Sequence, residues 1–179
     1  MRILGSFLLG ILIASLLEYI HHRFAGHAKR IRTKIYFEHH FHHGDPQEGG
    51  VTYREKLADR LPLVVVLLSF IALGLAPFLE WSSVGAVIAG SVAGYLYLEW
   101  IHHRMHHRLP SSAIGRWLWR YHYTHHFTSA RVNFGFTSPL WDLVFRTYRR
   151  SEVVDFPRAK APSGIAEMPG FLDHREPTD

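Results

Sequence analysis

Ten histidines in four short motifs dominate the chemistry that this sequence could perform. Two motifs have the form H-x-x-H-H, and two are histidine pairs that stand just after apolar stretches. The ten residues are His22, His27, His39, His42, His43, His102, His106, His122, His125 and His126. Because positions i, i+3 and i+4 share one face of an α-helix, each H-x-x-H-H motif predicts three imidazoles aimed at one point. Imidazole is the commonest protein metal ligand, so this pattern predicts a metal centre.

The number of histidines indicates more than one metal ion. A tetrahedral zinc site needs four ligands, whereas ten imidazoles suit two ions with about five nitrogens each. Imidazole binds iron, zinc, copper and nickel alike, so the spacing leaves the element open. A solvated face or a pH switch would be compatible with scattered histidines, but four clusters with ligand spacing favour a metal site.

Two glutamates precede histidine motifs and could support them. Glu18 lies four residues before His22, and Glu99 lies three residues before His102. Each carboxylate could accept the spare N–H of a ligating imidazole. The alternative is a glutamate that faces the membrane interface, although a carboxylate inside an apolar helix needs a partner.

Composition excludes several classes of protein. The chain has 179 residues, enough for one domain, and no Cys, which excludes disulfides, thiolate ligands and a cysteine-held iron–sulfur cluster within it. Lys and Arg number 20 against 15 Asp and Glu, but the basic residues flank apolar segments and form no dense run. We therefore predict a membrane association and no nucleic-acid partner.

Three apolar segments predict membrane-spanning helices. They cover residues 3–20, 61–79 and 84–101, and no Lys or Arg occurs between Leu61 and Ile101. Each approaches the roughly 20 residues that a bilayer requires, which favours membrane helices over the buried helices of a soluble protein. Gly90 and Gly94 form a G-x-x-x-G motif that permits close helix approach in lipid.

Charge and the number of crossings together predict the topology. Nineteen of the 20 basic residues lie in residues 23–60 or after Ile101. With three crossings, these regions share one side with all four histidine motifs, and the positive-inside rule makes that side cytoplasmic. The fold expected is therefore all-α, with about three membrane helices and a cytoplasmic histidine-rich cap.

The remaining sequence is expected to be peripheral to this arrangement. Residues 114–121 are aromatic and basic, which suits a helix that lies in the membrane interface. Residues 1–150 form the expected membrane domain, and residues 151–179 form a polar tail with four spaced prolines and little regular structure.

The order of the motifs resembles that of a known superfamily. The elements are E-Y-x-x-H-R-F-x-x-H from Glu18, H-x-x-H-H from His39, H-x-x-x-H-H from His102, H-x-x-H-H from His122, and N-F-G-F-T-S-P-L-W-D-x-x-F from Asn133. Together they are similar to the fatty acid hydroxylase branch of the membrane di-iron fatty acid hydroxylase/sterol desaturase superfamily. The resemblance implies that the ten histidines are the metal ligands. With Glu18 and Glu99, Asp142 of the closing signature is a third carboxylate expected to support them.

The resemblance also implies an activity, which we state as an expectation. It implies two iron ions, for which zinc can substitute on isolation, that use O2 and electrons from a separate electron-donor protein. The reaction implied is hydroxylation of a C–H bond in a membrane lipid, most naturally a fatty acyl chain, with no catalytic residue beyond the metal ligands. The expected location is a bacterial inner membrane or the endoplasmic reticulum. Four aromatic residues, Trp100, Tyr123, Phe134 and Phe136, could line a substrate channel or simply pack at the interface.

Three alternatives remain open at the level of sequence. The H-x-x-x-x-H spacing of the first motif is that of fatty acid hydroxylases, while the H-x-x-x-H spacing of the third differs from carotenoid hydroxylases. A carotenoid or sterol hydroxylase or desaturase is nevertheless the nearest alternative enzyme. A non-catalytic metal-binding membrane protein is the alternative from another class. A zinc hydrolase is disfavoured because no H-E-x-x-H motif occurs.

Overall fold

Helices make up most of the structure, as the sequence predicts. The computed structural model describes residues 1–27, 32–47 and 53–173. In the last of these ranges, side chains are described from residue 60 onward. The α-helices are α1 (Arg2–Ile20), α2 (Lys34–Gly44), α3 (Tyr53–Leu75), α4 (Trp81–His107), α5 (Ala113–Tyr123) and α6 (Leu140–Val144). Two π-helical turns, π1 (His21–Gly26) and π2 (Thr124–Thr128), follow α1 and α5 directly.

The chain divides into two compact units. The first comprises Met1–Glu18 and Gly50–Glu99, and the second comprises Tyr19–Gly49 and Trp100–Asp179. The first unit therefore contains the apolar helices, and the second contains all ten histidines of the four motifs.

In the first unit, small residues bring α1 and α4 into close contact. A Cβ atom at Gly90 would overlap the carbonyl oxygen of Phe7, and one at Gly94 would come within 3.3 Å of the Cα atom of Ile11. Only glycine permits the approach of the two backbones at Gly90, and a larger residue at Gly94 would require its neighbours to shift. The G-x-x-x-G motif thus lies at a helix–helix contact.

In the part of the chain that the structure describes, two helices are long and apolar enough to cross a membrane. They span Arg2–Gly26 and Trp81–His107, by length and composition. In the predicted span 61–79, α3 ends at Leu75, and its apolar part Arg60–Leu75 is shorter than the roughly 20 residues needed. The third crossing therefore stays a prediction.

In the second unit, helix α5 faces the protein core with its apolar side. Leu118 and Trp119 are buried, and the indole N–H of Trp119 donates to the carbonyl oxygen of Arg108 at 3.0 Å. Ser112 caps the helix by accepting from the backbone N–H of Gly115 at 3.0 Å. This side of α5 is therefore covered by packing within the unit, and the expectation that the helix lies in the membrane interface stays a prediction.

Residues 151–173 of the predicted tail are structured, which corrects the expectation of little regular structure for this part of it. Strands β1 (Val154–Phe156) and β2 (Phe171–Asp173) pair in parallel, with Val154 opposite Phe171. Two short 3-10 turns, Arg158–Lys160 and Ile165–Glu167, lie between the strands. The buried tail residues pack against α4, α5 and π2, and these residues are Val154, Phe156, Ala161, Ile165 and Phe171.

Candidate metal centre

The structure brings the ten histidines together as two groups of five. The first histidine group consists of His22, His27, His39, His43 and His125. The second histidine group consists of His42, His102, His106, His122 and His126. Within each group, one ring nitrogen from every member lies within 4.8 Å of those of the others. Every histidine that the sequence predicts as a ligand therefore belongs to one group or the other.

Several distances within the groups are those expected around a single metal ion. Metal–imidazole bonds of about 2.1 Å place ligand nitrogens about 3.0 Å apart when they meet at a right angle and about 4.2 Å apart when they are opposite. In the first group, the Nε2 atom of His39 lies 3.1 Å from that of His22, 2.8 Å from that of His27 and 3.0 Å from that of His43. In the second group, the Nε2 atoms of His42 and His102 lie 3.0 Å apart.

Hydrogen bonding between the imidazoles cannot account for this convergence. The Nε2 atom of a neutral imidazole either donates one hydrogen or accepts through one lone pair, so it cannot satisfy three partners at once. His39 nevertheless has three Nε2 neighbours at hydrogen-bond distance. The arrangement is instead that of several lone pairs directed at one point, which is what a bound cation requires.

A π-helical turn places the first histidine pair. Residues five apart on a regular α-helix differ by about 140° in direction, so His22 and His27 would point to different sides. The wider turn of π1 reduces this difference, and the two ring centroids lie 5.2 Å apart. Insertions of this kind are frequent at functional sites in helices.

Each H-x-x-H-H motif divides its histidines between the two groups. His39 and His43 join the first group while His42 joins the second, and His122 and His126 join the second while His125 joins the first. The expectation that three imidazoles of one motif share one point is thus wrong. Positions i+3 and i+4 differ by about 100° around a helix, so they lie on opposite sides of position i.

Burial keeps the imidazoles in the neutral form that metal binding needs. The pKa of His27 is lowered to about 4, mainly by desolvation and to a smaller extent by the charge of His40. Desolvation, followed by the charge of His125, lowers the pKa of His43 to about 2. Burial also holds the pKa of His125 and His126 well below the usual value. These rings are therefore unprotonated at neutral pH and can bind a cation without first releasing a proton.

Backbone carbonyls from one short segment orient two rings of the first group. The Nδ1 atom of His22 lies 2.5 Å from the carbonyl oxygen of Phe134, and that of His125 lies 2.7 Å from the carbonyl oxygen of Val132. A carbonyl oxygen only accepts, so each Nδ1 carries the hydrogen and each Nε2 presents a lone pair to the group.

Asn133, between these two carbonyls, fixes the segment. Its φ of 55° lies in the left-handed region, which asparagine tolerates better than most residues. Its side-chain amide donates to the carbonyl oxygens of Tyr121 at 3.1 Å and Arg149 at 2.9 Å. Its side-chain oxygen accepts from the N–H of Arg149 at 2.7 Å.

Asp142 supports the same segment from the other side. Its buried carboxylate accepts from the N–H groups of Phe134 at 2.9 Å and Gly135 at 2.8 Å, from the Thr147 hydroxyl at 2.6 Å, and from the Tyr121 hydroxyl. Asp142 thus reaches His22 through the backbone of Phe134 and not by direct contact.

The other two predicted carboxylates, Glu18 and Glu99, do not belong to the unit that contains the histidine groups. Glu99 belongs to the first unit and accepts from the guanidinium of Arg60. Glu18 also belongs to the first unit. Their predicted role behind the histidines stays a prediction.

Aromatic residues near the groups have distinct positions. Phe136 stacks on His102 with ring centroids 4.3 Å apart and lies 4.7 Å from the ring of His22, so it contacts both groups. Phe134 contacts rings of the first group only, among the contacts described. Tyr123 is fully buried and donates to the carbonyl oxygen of Met105 at 2.8 Å, which makes it a core residue.

Sequence reasoning missed the residues that act through their backbone. Val132 and Phe134 contribute carbonyls, which leave no side-chain signature. Gly26 was also missed: a Cβ there would come within 3.0 Å of the ring of His39. The sequence signals for these residues were the H-R-F-A-G-H motif that contains Gly26 and the run Asn133-Phe134-Gly135.

The helices and the histidine groups together define a class of protein. Apolar helices of membrane-spanning length and two five-histidine groups made of buried and half-buried rings are the features of a membrane protein that could bind two metal ions. The family model for fatty acid hydroxylase matches residues 7–147. The chain therefore belongs to the fatty acid hydroxylase family, as the resemblance implied.

Individual relatives agree with this family. The chain is 31% identical over 158 residues to the dihydroceramide fatty acyl 2-hydroxylase FAH1 of Arabidopsis thaliana, a match that covers 86% of this chain and 61% of the relative. It is 34% identical over 151 residues to the ceramide very long chain fatty acid hydroxylase SCS7 of Saccharomyces cerevisiae, covering 79% of this chain and 37% of the relative. A solved structure described as full-length scs7p, with only the hydroxylase domain visible, matches with a TM-score of 0.64 and 29% identity. That match covers 82% of this chain and 57% of the solved one. The chain thus spans about three fifths or less of the length of these relatives.

Proposed function

We propose that this protein is an O2-dependent di-iron hydroxylase that inserts a hydroxyl group into the acyl chain of a membrane lipid. The observation that carries the proposal is the pair of five-histidine groups, in each of which the ring nitrogens lie within 4.8 Å of one another, close enough to bind one ion. All ten histidines are proposed as metal ligands. Two iron ions, when bound, would supply the activation of O2 that hydroxylation of an unactivated C–H bond requires.

The protein's own residues would hold and shield the two ions. The ten imidazoles are neutral donors that add no charge, and none is assigned as a general acid or base. Phe136 contacts His22 of the first histidine group and His102 of the second. Its ring would therefore limit the access of water between the two groups. Electrons would come from a separate donor protein, because the chain contains no cysteine to hold an iron–sulfur cluster.

The substrate class follows from the names of the relatives. Proteins similar to this chain are called fatty acyl 2-hydroxylase, fatty acid 2-hydroxylase, or ceramide very long chain fatty acid hydroxylase. We infer that this protein acts on a fatty acyl chain, free or in a ceramide-type lipid, at carbon 2. Family membership and the apolar helices support a substrate that enters from the bilayer.

We further propose three membrane crossings with the histidine motifs on the cytoplasmic side. The absence of cysteine makes the chain suitable for single-cysteine labelling. Ser82→Cys, at the start of α4, is expected to react with a membrane-impermeant maleimide in intact cells. Ser111→Cys, after α4, is expected to react only after the membrane is disrupted, because the basic flanks stay inside. Equal labelling of both positions in intact cells would contradict this topology.

Lipid analysis under labelled oxygen tests the activity directly. The full chain is expressed in a host that lacks its own 2-hydroxylase, together with a small haem electron carrier, under 18O2. We expect 2-hydroxylated acyl chains that carry one 18O atom and are absent from the host with an empty vector. The measurement is mass spectrometry of total lipids, with the position of the hydroxyl group taken from fragmentation.

The possible outcomes separate the competing functions. Labelled carotenoids or sterols in place of acyl chains would support the alternative substrates of the same superfamily and overturn the acyl proposal. Two bound metal ions per chain without any labelled product would support a non-catalytic metal-binding protein. Product without 18O would exclude O2 as the source of the hydroxyl group.

A further inference from the structure

The two histidine groups differ in what lies behind their rings. In the first group, the Nδ1 atoms of His22 and His125 donate to carbonyl oxygens at 2.5 and 2.7 Å. In the second group, the Nε2 atom of His122 faces that of His106 at 2.9 Å, and its Nδ1 atom is closed off from solvent with no hydrogen-bond partner among the described residues. Neither ring nitrogen of His126 has a hydrogen-bond partner among the described residues. The rings of His22, His122 and His125 are buried and that of His126 is half-buried. Each of the four presents a nitrogen to its group.

The difference arises from a single segment, residues 132–134. Val132 and Phe134 are two residues apart, and each points its carbonyl oxygen at a ring of the first group. The backbone between them reverses at Asn133, whose φ is 55° and whose side chain is hydrogen-bonded on both sides. Asp142 then binds the N–H of Phe134 and prevents the carbonyl of that residue from turning away.

We propose that the 132–134 segment makes the two metal positions unequal, so that the ion of the first histidine group is bound more tightly than that of the second. This inference rests on the proposed metal binding. A carbonyl that accepts from Nδ1 fixes the ring and raises the basicity of Nε2, and loss of such a partner typically weakens metal binding about 10- to 100-fold. Asn133 and Asp142 are thus positioning residues for one ion of the two.

Competition for zinc tests the inference without any measurement of activity. The purified full chain is loaded with two equivalents of Zn2+ and titrated with a zinc chelator at pH 7. We expect two steps of zinc loss, separated by at least about tenfold in chelator concentration. His126→Ala is expected to remove the easily lost equivalent, and His125→Ala the retained one.

Variants of the supporting residues show whether the segment causes the difference. Asn133→Gly keeps the left-handed backbone accessible but removes the side-chain hydrogen bonds, and Asp142→Asn keeps the shape but removes the charge. Each is expected to weaken the retained equivalent about 10- to 100-fold and to leave the easily lost one unchanged. Arg146→Gly is the matched control, because Arg146 also has a positive φ of 57° but an exposed side chain.

Failure of the inference and failure of the proposed function give different results. A wild-type chain that holds fewer than two zinc ions contradicts the proposed function itself. Two ions lost in one step contradict only the inequality of the positions. Equal weakening of both ions by Asn133→Gly and Asp142→Asn shows a general loss of structure and overturns the role of the segment.

Discussion

Replacing His125 with alanine is expected to remove one of the two metal ions and to lower product formation at least about 100-fold. His125 contributes its Nε2 to the first histidine group, 3.0 Å from that of His27 and 3.1 Å from that of His43. Its Nδ1 is bound to the carbonyl oxygen of Val132, so alanine loses both the ligand nitrogen and the contact that orients the ring. The metal content should fall from two ions per chain to about one, measured by elemental analysis.

The neighbouring residue provides a matched comparison for this variant. His126→Ala removes a ligand of the second group from the next position in the chain, and it should also leave one ion. His40→Ala is the control, because His40 is exposed and belongs to neither group. Among the hydrogen bonds described, its ring contacts only the carbonyl oxygen of Tyr36 in its own helix. Full metal content and full activity in His125→Ala would contradict the proposed site.

The histidines themselves could be predicted from sequence, but their division between two points could not. Spacing identified all ten residues of the two groups because histidines three to five positions apart on a helix can direct several imidazoles at a nearby point. The assignment of His42 and His125 to the opposite group from their neighbours depends on how α2, α4 and π2 meet. That packing is decided by residues far apart in the chain, which a local motif does not contain.

The parts of the site made from backbone were invisible for a different reason. The π-helical turn at His21–Gly26 changes the direction of His27. No residue type indicates such a turn in the way that proline or glycine indicates the end of a helix. The carbonyls of Val132 and Phe134 belong to every peptide bond alike. Only the asparagine at a left-handed position and the buried Asp142 indicate that these peptide bonds are held in place.

The C-terminal segment was misjudged because its prolines outweighed its apolar pattern. Proline spacing suggested an irregular tail, but the segment alternates buried and exposed residues over Val154–Phe156. Buried tail residues also occur at Ile165 and Phe171. Pro157, Pro162 and Pro169 are compatible with this structure because they lie between the strands, where no ladder hydrogen bond is lost.

This packing leads to the second large effect, a loss of stability when Phe171 is shortened. Phe171 is 2% exposed, pairs with Val154 across the two strands, and has its ring centroid 5.9 Å from that of Tyr123. Phe171→Ala would leave a cavity against Tyr123 and is expected to lower the free energy of unfolding by about 3–5 kcal/mol. Tyr123 lies next to His122, so the metal content should fall together with the stability.

The adjacent residue on the same strand separates packing from any general effect of the change. Leu172 is 56% exposed, so Leu172→Ala is expected to change the free energy of unfolding by no more than about 0.5 kcal/mol. Both variants are compared with the wild type by thermal unfolding in the same detergent, followed by elemental analysis of the folded protein. Equal stability of Phe171→Ala and Leu172→Ala would show that β2 does not support the helix that carries His122. A destabilised Phe171→Ala that still holds two ions would show that the strand stabilises the unit without positioning the second histidine group.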